Sequence, residues 1–140
     1  MSDVHYSPRR VGDIIVRESD YTYGRDSVLL GATAAMTITD RDPIGHFVKA
    51  NGDIAIAGDE ANVVGIVVEG ERLPDAMTAG ENLVRPHAVL KRGEVVVNKN
   101  ALPLEDPEGN AYNLATIQTT LEALNFVFIT DPTVSEVQST

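Results

Sequence analysis

The sequence predicts a mainly β domain with one short helix, built as a compact body behind an extended N-terminal arm. Three observations predict it. Short runs of β-branched residues recur between Gly and Pro, most densely from Val63 to Val97, and such runs read as strands. A single apolar stripe, Leu114, Ile117, Leu121 and Leu124, is spaced 3, 4 and 3, the period of one helical face. The first 25 residues are polar and charged apart from one apolar burst at Val11–Val16.

Composition narrows the function. The chain has 140 residues, 43% of them hydrophobic, enough for one core in one domain. No run approaches the roughly 20 apolar residues of a membrane-spanning helix. Met1–Gly24 lacks the apolar segment of a secretory signal, so the chain is expected to be made and used without export. Cysteine is absent, which excludes disulfides, thiolate catalysis and cysteine zinc sites. The net charge of −10 opposes the phosphate backbone, whose binding relies on Lys and Arg releasing counterions. Neither nucleic acid nor an anionic membrane is an expected partner.

The chain divides into an arm (1–26), a body (27–131) and a polar tail (132–140). In the arm, Ser7-Pro8-Arg9-Arg10 is broken by proline, and Tyr21 and Tyr23 lie two apart. The burst Val11-Gly12-Asp13-Ile14-Ile15-Val16 has little to bury against within the arm. It reads either as a frayed terminus or as a strand for a partner's sheet edge. The body opens with a strand at Ser27–Gly31. Asp42-Pro43 marks a turn, and His46-Phe47-Val48 is a strand ended by Asn51-Gly52, a hairpin signal. Ile54–Ala57 and the Gly58-Asp59-Glu60 turn lead into Val63–Val68. A polar bend, Glu69–Asn82, separates that run from His87–Leu90. Lys91-Arg92-Gly93 then reads as a tight turn before Glu94–Val97, so the middle of the chain is expected to be antiparallel. Asn98–Asn110 is a charged loop tacked down by Leu102 and Leu104. Asn113 suits the helix N-cap, and Asn125 suits a left-handed residue just past its end. Phe126–Ile129 returns as the last strand.

No motif for chemistry is complete. His5, His46 and His87 are isolated and form no metal spacing; His46 and His87, at strand starts, read as half-buried rings. Asp40-Arg41-Asp42-Pro43-Ile44-Gly45 begins like a calcium loop, but Ile44 stands at position 5 and Asn51 at position 12, so it reads as a turn. Glu105, Asp106 and Glu108 read as a solvated loop. The chain has no nucleophile elbow, P-loop or dinucleotide fingerprint. No enzymatic role, cofactor or metal is expected.

The order of motifs does resemble a family. Val28-Leu29-Leu30-Gly31, Gly45-His46-Phe47, Asn51-Gly52-Asp53-Ile54-Ala55, Ala61–Val68 and Val89–Val95 are followed by a short helix and a closing strand. Together they resemble the head decoration proteins of tailed bacteriophages over residues 27–129. Asn125-Phe126 stands where Gly-Ile is expected, and the arm before Ser27 is long. The resemblance implies a bent β-ribbon (β-clip) fold and homotrimers on the local three-fold axes of the capsid. It also implies a place on the virion exterior after synthesis in the host cytoplasm, and an arm that adds a strand to the major capsid protein. On this reading the capsid-binding residues are Arg9, Arg10, Val11, Ile14, Ile15, Val16, Arg17, Tyr21 and Tyr23. The alternatives are a ligand-binding module or enzyme using Asp40, Asp42, His46 and His87, and another phage structural subunit of tail or fibre.

Overall fold

The computed structural model describes residues 9–18 and 24–130. They are mainly β, with one helix longer than a single turn. The strands are β1 (Ile15–Glu18), β2 (Arg25–Val28), β3 (Met36–Thr37), β4 (Phe47–Lys49), β5 (Val63–Glu69), β6 (Ala76–Met77), β7 (His87–Leu90), β8 (Val95–Asn98) and β9 (Phe126–Ile129). A four-residue helical turn, α1 (Val11–Ile14), precedes β1, and α2 (Leu114–Glu122) precedes β9.

A four-stranded antiparallel sheet, in the order β2-β7-β5-β4, divides two hydrophobic cores. Its central strand shows why Val63–Val68 is apolar at successive positions rather than alternating. Ile66 and Val68 enter one core with Phe47 and Leu90, while Val67 enters the other with Val48 and Val89. A strand covered on both faces has no solvent side to make polar. Gly65 interrupts this run because a Cβ there would lie 2.7 Å from the Leu90 carbonyl oxygen.

The turn at Lys91–Gly93 forms, with Gly93 at φ 98°, but it does not close a hairpin. It passes the chain from the four-stranded sheet into a second, three-stranded sheet, in the order β1-β8-β9. The expectation of a wholly antiparallel middle is corrected accordingly: β5 and β7 pair antiparallel, whereas β8 pairs antiparallel with β1 and parallel with β9. A parallel partner needs a crossover, which the loop after β8 and helix α2 supply.

Helix α2 has the expected ends. Asn113 Oδ1 accepts from Thr116 N at 3.2 Å. Asn125, at φ 74°, is the one non-glycine residue of positive φ among those described. Ile117 and Leu121 are fully buried, and Leu114 is half-buried. Leu124, past the helix end, is 40% exposed. Asn51-Gly52 forms its tight turn, with Gly52 at φ 91° and its N–H donated to Lys49 O. Leu102 tacks down the following loop, but Leu104 is 47% exposed and does not.

The largest correction concerns the arm. Residues 9–18 belong to the body, because β8 offers an open edge beside a core that lacks a wall. β1 pairs that edge, Ile15 opposite Val97 and Glu18 opposite Val95. Ile14 and Ile15 are buried in the core with Phe47, Val95 and Val97. The boundary at residue 26 is not observed either, since β2 begins at Arg25. Tyr21, Tyr23 and the tail lie outside the described residues.

Candidate functional site

Two places hold most of the described residues singled out from the sequence. The first is the turn before β4. Asp40 Oδ1 accepts from Asp42 N, and Asp42 Oδ1 accepts from Ile44 N. Short Asx turns of this kind compete well with regular structure. Gly45, at φ 92°, completes the bend and donates its N–H to Val67 O. A Cβ at Gly45 would sit 2.8 Å from Ile14 Cδ1, so the strap formed by residues 9–18 packs directly on this backbone.

The loop turns its oxygens inward on Arg9. The guanidinium donates through Nη1 to Asp40 Oδ2 at 2.8 Å, through Nη2 to Asp42 O at 2.6 Å and through Nε to Ile44 O at 2.5 Å. The Arg9 backbone N–H donates to Asp42 Oδ2 at 2.7 Å. The Arg9 side chain is only 8% exposed. His46 lies beneath, with Nε2 2.9 Å from the same Asp40 Oδ2. Burial pushes the His46 imidazole below its ordinary range, although the Asp40 hydrogen bond pulls the other way. The neutral ring therefore donates from Nε2. Burial also opposes the Asp40 charge, yet the His46 hydrogen bond and the Arg9 guanidinium hold that carboxyl at about 2. Tyr112 closes the floor: its hydroxyl lies 3.5 Å from His46 Nδ1 and donates to Ala55 O at 2.8 Å.

The structure thus brings together Asp40, Asp42 and His46, which the sequence offered as a candidate constellation. His87 is not with them: its ring is packed under Gly70, with Nε2 2.8 Å from Glu71 O. Both rings are fully buried rather than half-buried. The sequence missed Arg9 and Tyr112 as members, because 31 and 66 residues separate the bonded pairs. The acidic turn and the paired arginines Arg9-Arg10 were the only signal.

Asp106 is a further correction. It is fully buried, not solvated, and its carboxylate accepts from the backbone N–H groups of Ala57, Glu108 and Asn110. Its two acidic neighbours stay at the surface or half-buried, and among the described residues no group of three His, Asp or Glu could hold a metal ion. Glu60 plays a similar part, accepting from Gly58 N and Asn113 N, and the Asn113 bond leads in holding its carboxyl below the usual range.

The second place is the outer face of the three-stranded sheet. Ile15, Val95, Val97 and Phe126 point into the core, so the residues between them point away. Val16 on β1 is 49% exposed and Val127 on β9 is 53% exposed, with half-buried Val96 between them. Arg17 lies on the surface 3.6 Å from Glu94, Arg10 is exposed, and Val11 is half-buried against the core. An open groove of about 780 Å³ also runs between β4, β5 and α2, past Lys49, Asn51, Val64, Thr120 and Leu124. Its one cation, Lys49, is taken up by Asp59 and Thr33. Among the described residues no helix is long and apolar enough to cross a membrane. No family model matches the chain, and neither a curated protein nor a solved structure matches it.

Proposed function

We propose that this protein is a decoration (cementing) protein of a tailed-phage head, a trimer that binds the outside of the expanded capsid at local three-fold axes and reinforces it. The observation that carries the reading is the order of Gly and aliphatic motifs from Val28 to Val95, followed by the helix and closing strand, which resembles the head decoration family. The architecture supports it in two ways. Asp40, His46 and Asp106 are spent on internal hydrogen bonds, as in a scaffold whose work is contact rather than chemistry. A surface carrying net charge −10 keeps apolar residues on the outer sheet face at Val16 and Val127, where contact with a neighbour is free of like-charge repulsion.

The mechanism is additive contact. Each subunit bridges neighbouring capsid proteins, and many modest links acting together resist lattice opening. The anchor is not the strand Gly12–Arg17 in its entirety, because Ile14 and Ile15 are occupied in the core. Exposed Arg10, Val16 and Arg17 remain to meet the major capsid protein. The test is to mix the purified protein with undecorated expanded heads of the parent phage and follow binding by sedimentation and head rupture by heating. Saturable binding that raises the rupture temperature is expected, with Val16→Asp and Val127→Asp weakening it. Heads that neither bind the protein nor gain resistance to heat refute the reading.

A further inference from the structure

We infer that the loop Asp40–Gly45 is a binding site for one guanidinium group, with Arg9 as its resident in this chain. A guanidinium is already seated between the two carboxylates and is almost completely enclosed. Three different acceptors take its Nε, Nη1 and Nη2 donors. One is a carboxylate oxygen and two are main-chain carbonyls of alternate residues. A planar fork of N–H donors meets all three at once, whereas an ammonium presents a point charge on a tetrahedral head.

The acceptors are also held in place without help from Arg9. Asp40 and Asp42 are fixed by the Asx turns through their other oxygens. His46, sealed in the core, donates to Asp40 Oδ2 from below. Gly45 pins the end of the loop to β5. A site whose donors and acceptors are arranged beforehand loses little entropy on binding. The opening of the motif resembles a calcium loop because it, too, gathers oxygens around a cation. Its failure at Ile44 and Asn51 fits a resident cation that takes three separate acceptors of the loop rather than a cage of oxygens.

Arg9 lies immediately before α1 and β1, so the site is also the latch of the strap.

The test uses the full chain carrying Arg9→Ala. Methylguanidinium at millimolar concentration should raise its melting temperature in a saturable way, as a ligand of the folded state does. It should also shift the amide resonances of Asp42, Ile44, Gly45 and His46. The wild type, its site filled, should not respond, and adding Asp40→Asn should abolish the response. A response of equal size to methylammonium or to calcium chloride, or none to methylguanidinium, overturns the assignment. If Arg9→Ala fails to fold, the wild type decides: its Arg9 Nε–H should exchange with solvent more slowly than those of exposed Arg10 and Arg17. Equal exchange rates refute a seated guanidinium.

Discussion

Ile14→Ala separates a strap from a free arm. In the structure Ile14 is 1% exposed, and its Cδ1 packs on the backbone of Gly45. The substitution removes three carbons, a transfer loss of about 2.4 kcal/mol at ~0.8 kcal/mol each. A cavity term brings the total to about 3–4 kcal/mol, within the usual range for buried Ile→Ala. With about 2.1 cal/mol/K of unfolding entropy per residue, a chain of this length should melt about 10–14 °C lower. The assay is thermal unfolding followed by circular dichroism. Val16→Ala, two positions along on the exposed side, is the control and should change stability by no more than about 0.5 kcal/mol. Deleting residues 1–18 should be more damaging still, because it bares the β8 edge and the side chains of Val95 and Val97. If Ile14→Ala melts where the wild type does, the segment is undocked in solution and the strap reasoning is wrong.

Three further expectations follow from particular contacts. Gly70→Ala should destabilise by more than about 2 kcal/mol in urea unfolding, because Gly70 has φ 149° and a Cβ there would lie 2.1 Å from His87 Cδ2; a neutral effect contradicts the packing of His87. Asn113→Ala should cost about 1 kcal/mol through loss of the helix cap, whereas Asn125→Gly should be tolerated and Asn125→Val should not, since a β-branched residue resists positive φ; equal melting of the two Asn125 variants removes the left-handed turn from the account. Acid should weaken the fold in two stages. Burial lowers the His46 pKa from 6.5, so its share of stability is lost as pH falls below 6.5, where the unfolded chain takes up the proton first. Asp40, lowered from 3.8 to about 2, contributes above 3.8 and loses its share as pH falls through about 2. Urea midpoints measured from pH 7 down to pH 2 should fall, and the lowest part of the fall should shrink in Asp40→Asn; a midpoint that stays level between pH 7 and pH 3 refutes the linkage.

Local signals were legible in the sequence wherever a residue's role depended on its neighbours in the chain. The 3-4-3 stripe placed α2, because helical periodicity is set by the backbone and needs no partner. Asn113 and Asn125 marked its ends for the same reason: a cap and a left-handed turn are satisfied within four residues. Gly52 and Gly93 were readable as turns, since only the local backbone must go positive in φ. Even the run of successive apolar residues in β5, broken only by Gly65, identified a strand, although it left open what covered it.

What the sequence left undecided was every matter of partnership. Val11–Val16 looked unable to bury itself, which is true of the segment alone. The edge of β8 that receives it lies about 80 residues away, and no local pattern announces an open edge. The Lys91–Gly93 turn was visible but not its consequence, because whether a turn closes a hairpin or changes sheets depends on which strands already flank it. Asp106 looked solvated for want of the Ala57 N–H, and Arg9 looked like a surface charge for want of the loop that encloses it. Composition and periodicity determined the mainly β class, the helix and the turns, for these rest on backbone sterics and short-range hydrogen bonds. Only the tertiary structure decided which edges were filled and which charges were buried, because burial and long-range pairing belong to the packed molecule rather than to any stretch of chain.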